Sequence, residues 1–255
     1  MPELSRRRLQ EIARLARRRH RDASGEFLVE GVRSVESALA AGAPLVEILA
    51  SGEAAADPRV AALLAGVAVP VHTVPAVDLA RVADTEATQG LLAVAALRRA
   101  DPLALVAPLV VLDGVQDPGN VGAIVRAAAW FGARGVLAGP GTADPFGPKA
   151  VRAAMGGLWD LEIAVTADLA AALDAFRARG LPLYGAELDG EPARDWAPAA
   201  EAVLVLGSEA HGLSEAARQR LDGRVRIGGG SDARGVESLN VSVAAGILLH
   251  RWLGG

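Results

Sequence analysis

The chain contains no cysteine in 255 residues, which excludes disulfides, thiolate zinc sites and cysteine nucleophiles. Four scattered histidines do not make a histidine-rich metal site, so no metal is expected. No apolar run approaches the ~20 residues of a membrane span. The opening "MPELSRRRLQEIARLARRRH" lacks the apolar centre of a signal peptide. A globular protein of the cytoplasm, away from membranes, is the expectation. No G-x-G-x-x-G follows any strand-like run, which counts against a nucleotide-dependent oxidoreductase.

What is present is a chain that is 51% apolar, long enough for roughly two domains with a real core. Its net charge of -4 hides an asymmetry. Residues 1–22 carry eight arginines against Glu3, Glu11 and Asp22, so this arm is near +5 and the remainder near -9. Written as one helix, the arm sets Leu9, Ile12, Ala13 and Ala16 on one face and Arg7, Arg14, Arg18 and Arg21 on the other. A basic amphipathic arm suits a polyanion, although a solvated helix face has the same pattern.

Beyond the arm, strand-like "FLVE", "LVEILAS", "VPVHTV" and "QGLLAVAAL" alternate with helix-like runs at 32–42 and 57–65, the pattern of a small α/β domain. "RRADPLALVAP" places a boundary near residue 100. Strands are then expected at 109–113, 135–139, 161–165, 181–186, 202–206 and 224–227. Helices are expected near 121–131, 148–155, 167–179, 214–221 and 240–252. Continuous apolar strands alternating with helices imply a parallel sheet covered on both faces.

Ligands of such sheets collect at the carboxyl ends of strands, and three segments there hold polar groups. In "QDPGNVGAIVRAAAWFGARG", Asn120 is placed to cap a helix whose apolar face is Val121, Ile124, Val125, Ala128 and Phe131. Arg126 lies on the other side, level with Gly122, Ala129 and Ala133, where little bulk keeps a partner or ligand away. In "AVLVLGSEAHGLSEAARQRL", a strand ends at Gly207, Glu209 follows, and Gly212 and Ser214 open a helix. The glycines permit close backbone approach to a ligand. In "GVESLNVSVAAGILLHRWL", Ser238 and Asn240 precede a helix apolar nearly all round, and therefore expected to be buried. Taken singly, each segment is also explained by ordinary capping and solvated side chains.

Taken together and in this order, the three segments resemble the SpoU (TrmH-like) family of RNA ribose 2'-O-methyltransferases, in the SPOUT superfamily. Asn120-Val121-Gly122 with Arg126 matches the family's first motif, Gly207-Ser208-Glu209 with Gly212 its second, and Ser238-Leu239-Asn240-Val241-Ser242 its third. "FLVEGVRSVESALAAG" and "DTEATQGLLAV" resemble the family's N-terminal substrate-binding domain, of L30e-like fold. Here Ile227 is followed by the longer loop "GGGSDARGVE" without the family's Pro-Met. The segment "PKAVRAAMGGLW" has Ala154 where relatives commonly have serine. It also holds Lys149, the only lysine beside 25 arginines.

The resemblance implies an α/β fold with a C-terminal parallel-sheet domain tied in a trefoil knot, plus a smaller N-terminal L30e-like domain. The divisions are a basic arm at 1–22, an RNA substrate-binding domain at 23–100 and a methyltransferase domain at 101–255. It implies S-adenosylmethionine as cofactor, lined by Gly207, Ile227 and Leu239, and a homodimer. Active-site positions fall on Arg126, Asn120, Glu209, Ser238 and Asn240; RNA contacts fall on Arg7, Arg14, Arg18, Arg21 and Lys149. The expected reaction is 2'-O-methylation of structured RNA, foremost 23S ribosomal RNA, with transfer RNA as the alternative substrate and non-catalytic RNA binding as the rival class. A guanidinium is a poor base unless RNA phosphate assists it, so Arg126 is assigned to act with substrate phosphate.

Overall fold

The basic arm folds as two short helices, α1 (Arg6–Arg14) and α2 (Arg18–Ser24), in a computed structural model that describes residues 4–85, 88–229 and 238–254. Ser5 caps α1 through Arg8 N, and Ile12 and Leu15 are buried against the first core while Ala16 is exposed. The single-helix expectation fails at residues 15–17, and with it the four-arginine face. Arg21 is only 3% exposed. Its Nη1 donates to the carbonyls of Leu15 at 2.7 Å and Ala16 at 3.0 Å, placing positive charge on the carbonyls that end α1. Arg8 also turns inward, donating from Nε to Glu47 at 2.6 Å and from Nη2 to Glu26 at 3.0 Å. Arg7, Arg14 and Arg18 remain exposed.

The chain divides into two compact units, one made of residues up to Arg98 together with Phe146–Trp159, the other of Arg99–Pro145 and Asp160 onward. The first continues through β1 (Glu26–Glu30), α3 (Val32–Ala40), β2 (Leu45–Ser51), α4 (Gly52–Ala56), α5 (Pro58–Leu64), β3 (Val71–Val74), α6 (Ala76–Val82) and β4 (Leu91–Ala96). Its sheet order is β1-β4-β2-β3. The buried strand β4 runs antiparallel to β1 and β2, and β2 is parallel to β3. Short helices α4 and α6 leave no mark in the hydrophobic period. The 146–159 segment completes this unit: Phe27 meets Phe146 edge-on at 5.3 Å and stacks on Trp159 at 5.8 Å.

The rest of the chain gives β5 (Leu109–Asp113), α7 (Pro118–Trp130), β6 (Gly135–Ala138), α8 (Pro148–Ala154, in the first unit), β7 (Glu162–Val165), α9 (Leu169–Ala178), β8 (Leu183–Pro192), β9 (Val203–Gly207), α10 (Glu215–Arg218), β10 (Gly223–Arg226) and α11 (Val241–Leu253). Six strands form one sheet in the order β10-β8-β9-β5-β6-β7, and every pairing is parallel, as the apolar runs implied. Leu109, Val111, Leu137, Val203 and Val205 meet Leu169, Leu173 and Phe176 of α9 in the core beneath it. Among the described residues no helix is long and apolar enough to cross a membrane.

The expectation that α11 is buried all round is corrected. Val241, Ala245, Leu248 and Leu249 are buried, yet Val243 is 50% and Ile247 41% exposed. On α7, against which α11 packs, Trp130 is 83% exposed.

Candidate functional site

The three sequence segments meet at the carboxyl ends of β5 and β9 and the start of α11. The cap of α7 is Asp117, whose carboxylate accepts from Gly119 N at 2.6 Å and Asn120 N at 3.0 Å. Asn120, the cap expected from the sequence, does not fill that role, because Pro118 sits at the first helical position and moves the cap one residue before it. The Asn120 amide is therefore available for longer-range contacts. Its Nδ2 donates to Glu209 Oε1 at 2.5 Å and its Oδ1 accepts from Asn240 Nδ2 at 3.0 Å. Asn240 in turn caps α11, its Oδ1 accepting from Ser242 N at 2.9 Å and from the Ser242 hydroxyl at 2.6 Å. One residue from each motif thus joins a single polar chain.

Glu209 is held at the tip of a closed loop. Ser208 and Gly212 exchange backbone hydrogen bonds of 3.0 and 2.8 Å, and Gly212 adopts φ +68°. A Cβ on Gly207 would lie 2.3 Å from the Gly212 carbonyl carbon. The glycine at 207 is thus required by the loop folding back on itself. Ser214 caps α10 as its position suggested, and its own N donates to the buried carboxylate of Asp113 at 2.6 Å, tying the β9 loop to the end of β5.

Between these loops lies a cavity of about 190 Å³ lined by Asp113, Gly114, Gln116, Ser208, His211 and Gly212 with Leu213 and Ser214. Among the described residues no lysine or arginine lines it, and Asp113 does. Such a lining disfavours a pyrophosphate and suits a ligand carrying positive charge, such as a sulfonium.

The remaining expected site residues are not drawn into the polar chain. Arg126 is exposed on α7, and no hydrogen bond joins it to Asn120, Glu209 or Asn240 among the described residues. Ser238 and Leu239 are exposed and Ile227 is half-buried. Residues 230–237 of the glycine-rich loop lie outside the described residues. Lys149 is exposed on α8 in the first unit. Sequence reasoning missed Asp117, signalled by the following proline, and Asp113, which reads only as the polar end of an apolar strand.

Comparison with known proteins accounts for this arrangement. Residues 107–250 match the SpoU rRNA Methylase family, and residues 6–93 match the MRM3-like substrate binding domain. The chain is 30% identical over 248 residues to the 23S rRNA (guanosine(2553)-2'-O)-methyltransferase RlmP of Bacillus subtilis, covering 97% of this chain and 96% of that protein. Among solved structures it is similar to the SpoU methyltransferase AviRb of Streptomyces viridochromogenes in complex with AdoMet, with TM-score 0.86, 28% identity and 97% of each chain covered. It is similar also to the AdoMet-bound rRNA methyltransferase of Sinorhizobium meliloti, with TM-score 0.82, 27% identity, and 98% of this chain and 95% of that one covered. With its three motifs joined at one end of a parallel sheet, the chain belongs to the SpoU rRNA methylase family.

Proposed function

We propose that this protein transfers a methyl group to the 2'-hydroxyl of one ribose in 23S ribosomal RNA, with S-adenosylmethionine as the donor. The observation that carries the reading is the Glu209–Asn120–Asn240 chain, which unites all three family motifs beside a cavity whose described lining holds no lysine or arginine. When bound, the cofactor supplies an electrophilic methyl group. Backbone groups at Gly114 and at Ser208 to Gly212 would hold it, with Gly207, Ile227 and Leu239 as further cofactor contacts and Asp113 providing negative charge.

The protein's own part is to position the ribose and to accommodate charge as the hydroxyl proton departs. Glu209 and Asn120 hold one another in a fixed orientation, leaving the second carboxylate oxygen of Glu209 to accept from a ribose hydroxyl. Ser238 and Asn240 flank that position. Arg126 acts with an RNA phosphate: the pair receives the departing hydroxyl proton, and the guanidinium offsets the charge that develops on the ribose oxygen. Its exposed place outside the cluster in a single chain supports delivery of RNA, or of a partner subunit, to it, although Gly122 and Ala133, expected to leave bare surface beside it, are buried.

A homodimer belongs to this reading, supported by the apolar strip of Trp130, Val243 and Ile247 along α7 and α11. So do a trefoil knot in the C-terminal domain (101–255), an L30e-like fold for the substrate domain (23–100) and a cytoplasmic location. Two stretches of that substrate domain support its docking role: Glu30 to Ser34 and Thr85, Thr88, Gln89 and Gly90 line one cavity of about 890 Å³. Arg7, Arg14, Arg18 and Lys149 supply phosphate contacts.

The test is to incubate unmethylated 23S rRNA with the protein and S-adenosylmethionine and to map 2'-O-methyl groups by mass spectrometry. One new methylated ribose is expected. Methylation of transfer RNA with none in 23S rRNA would overturn the substrate, and methylation of a base would overturn the reaction.

A further inference from the structure

The β8 strand does not end where its pairing with β9 ends. β8 and β9 are in register through Gly185 and Val205. On its other side the pairing with β10 jumps from Arg224 opposite Gly185 to Val225 opposite Glu191. Residues 186–190 are therefore extruded at the carboxyl end of the sheet, level with the start of the Gly207–Gly212 loop. Gly190 closes this excursion by lying flat on β10, since a Cβ there would sit 2.5 Å from Val225 N. Within it, the usual preference is inverted: Leu188 is 71% exposed, while the Glu187 side chain is 8% exposed.

Glu187 uses its buried carboxylate asymmetrically. Its Oε1 accepts from Arg218 Nε at 2.6 Å, whereas Oε2 is buried without a hydrogen bond among the described residues, with Arg224 Nη1 at 3.7 Å. Arg218 lies over the second motif's loop, its Nη2 only 3.3 Å from where a Cβ on Gly212 would stand. Arg218 thus bridges from Glu187 to the side of Gly212, whose backbone pairs with Ser208 and so fixes the loop carrying Glu209. A buried carboxylate with an unsatisfied oxygen is costly, and its persistence beside a functional loop calls for a reason beyond stability.

We infer that Glu187 is a positioning residue: through Arg218 it clamps the Gly207–Gly212 loop in the shape that the cofactor cavity requires. This rests on the methyltransferase reading above. The pair Asp174–Arg220 provides an internal comparison. Arg220 follows α10 closely, donates twice to Asp174 at 2.9 Å, and holds its carboxyl below the usual range; neither pair lines the cavity, but only Arg218 is found beside Gly212.

The experiment measures S-adenosylmethionine affinity by calorimetry and Tm by melting for the full-length wild type, E187Q, R218Q, the double variant E187Q/R218Q and D174N. E187Q and R218Q should each weaken binding by about tenfold, and the double variant no more than either, because the two act in series. D174N should leave affinity unchanged. With RNA, E187Q should raise the KM for S-adenosylmethionine and keep kcat at saturation. Unaltered affinity in both E187Q and R218Q, additive losses in the double variant, or equal weakening by D174N would overturn the inference. Failure of the wild type itself to bind S-adenosylmethionine would instead overturn the methyltransferase reading.

Discussion

Asn120 and Glu209, 89 residues apart in the chain, are joined by a hydrogen bond of 2.5 Å between the asparagine Nδ2 and the carboxylate Oε1. Neither helix geometry nor the cap of α7 demands this bond, because Asp117 serves as the cap. Its strength is that of a neutral donor on a charged acceptor, short and directional.

The bond predicts the behaviour of Asn120→Asp. A carboxylate in place of the amide meets Glu209 with like charge and removes the donor, so the Glu209 orientation is lost. Methyl transfer at saturating RNA and cofactor should fall by about 100-fold, while calorimetric affinity for S-adenosylmethionine stays within about twofold. An Asn120→Asp protein with undiminished saturated rate would remove Asn120 and Glu209 from the reaction.

Arg126 and the arm should separate cleanly. Arg126→Ala should lower single-turnover transfer by about 10²–10³ with cofactor binding retained. Neutralising Arg7, Arg14 and Arg18, the three expected arm residues that stay exposed, should instead weaken RNA binding. The slope of log affinity against log salt should become shallower by about 0.7–0.9 for each RNA phosphate that is no longer neutralised. Filter binding across a salt series, beside rapid-quench kinetics, measures both; an equal loss of saturated rate in the two variants contradicts the division.

Arg21 belongs to folding. Replacing it with alanine leaves the carbonyls of Leu15 and Ala16 without their guanidinium donor, at a cost of about 1–3 kcal/mol. A denaturant titration should register that loss, and RNA affinity per folded molecule should not change. If Arg21→Ala weakens RNA binding as much as Arg14→Ala with stability intact, its side chain faces RNA after all.

Trp130 tests the dimer. A glutamate at position 130 or 247 places charge on the apolar strip of α7 and α11, where desolvating it is unfavourable. Analytical ultracentrifugation at micromolar concentration should show dimers for the wild type and monomers for Trp130→Glu and Ile247→Glu. A monomeric wild type with full activity would dispose of the dimer.

Much of the second unit is legible in the sequence because its chemistry is repetitive. Strands such as Leu109–Asp113 and Val203–Gly207 are unbroken apolar runs, and buried parallel strands have no other pattern. The site is legible in its residues but less so in their contacts. Asn and Asp compete for one cap, and only Pro118 decides in favour of Asp117. Arginine side chains are long enough to reach inward or outward, so Arg8 and Arg21 look like Arg7 and Arg14 until a carbonyl or carboxylate is placed beside them. The polar stretch Glu187 to Glu191 carries no apolar alternation, which hides the extension of β8. An exposed tryptophan breaks the burial rule on which core residues are read, and Trp130 gains a meaning only with α11 beside α7.

The placement of Phe146–Trp159 in the first unit has a consequence for the order of synthesis. Phe27 has no complete aromatic environment until Trp159 is made, and by then β5, α7 and β6 of the other unit already exist as chain. Vectorial translation therefore cannot finish the N-terminal unit before the other has begun, as it does for domains strung one after another. A gene fragment cut at residue 100 would encode a sheet lacking its last layer. A ribosome stalled at codon 145 would carry neither unit complete.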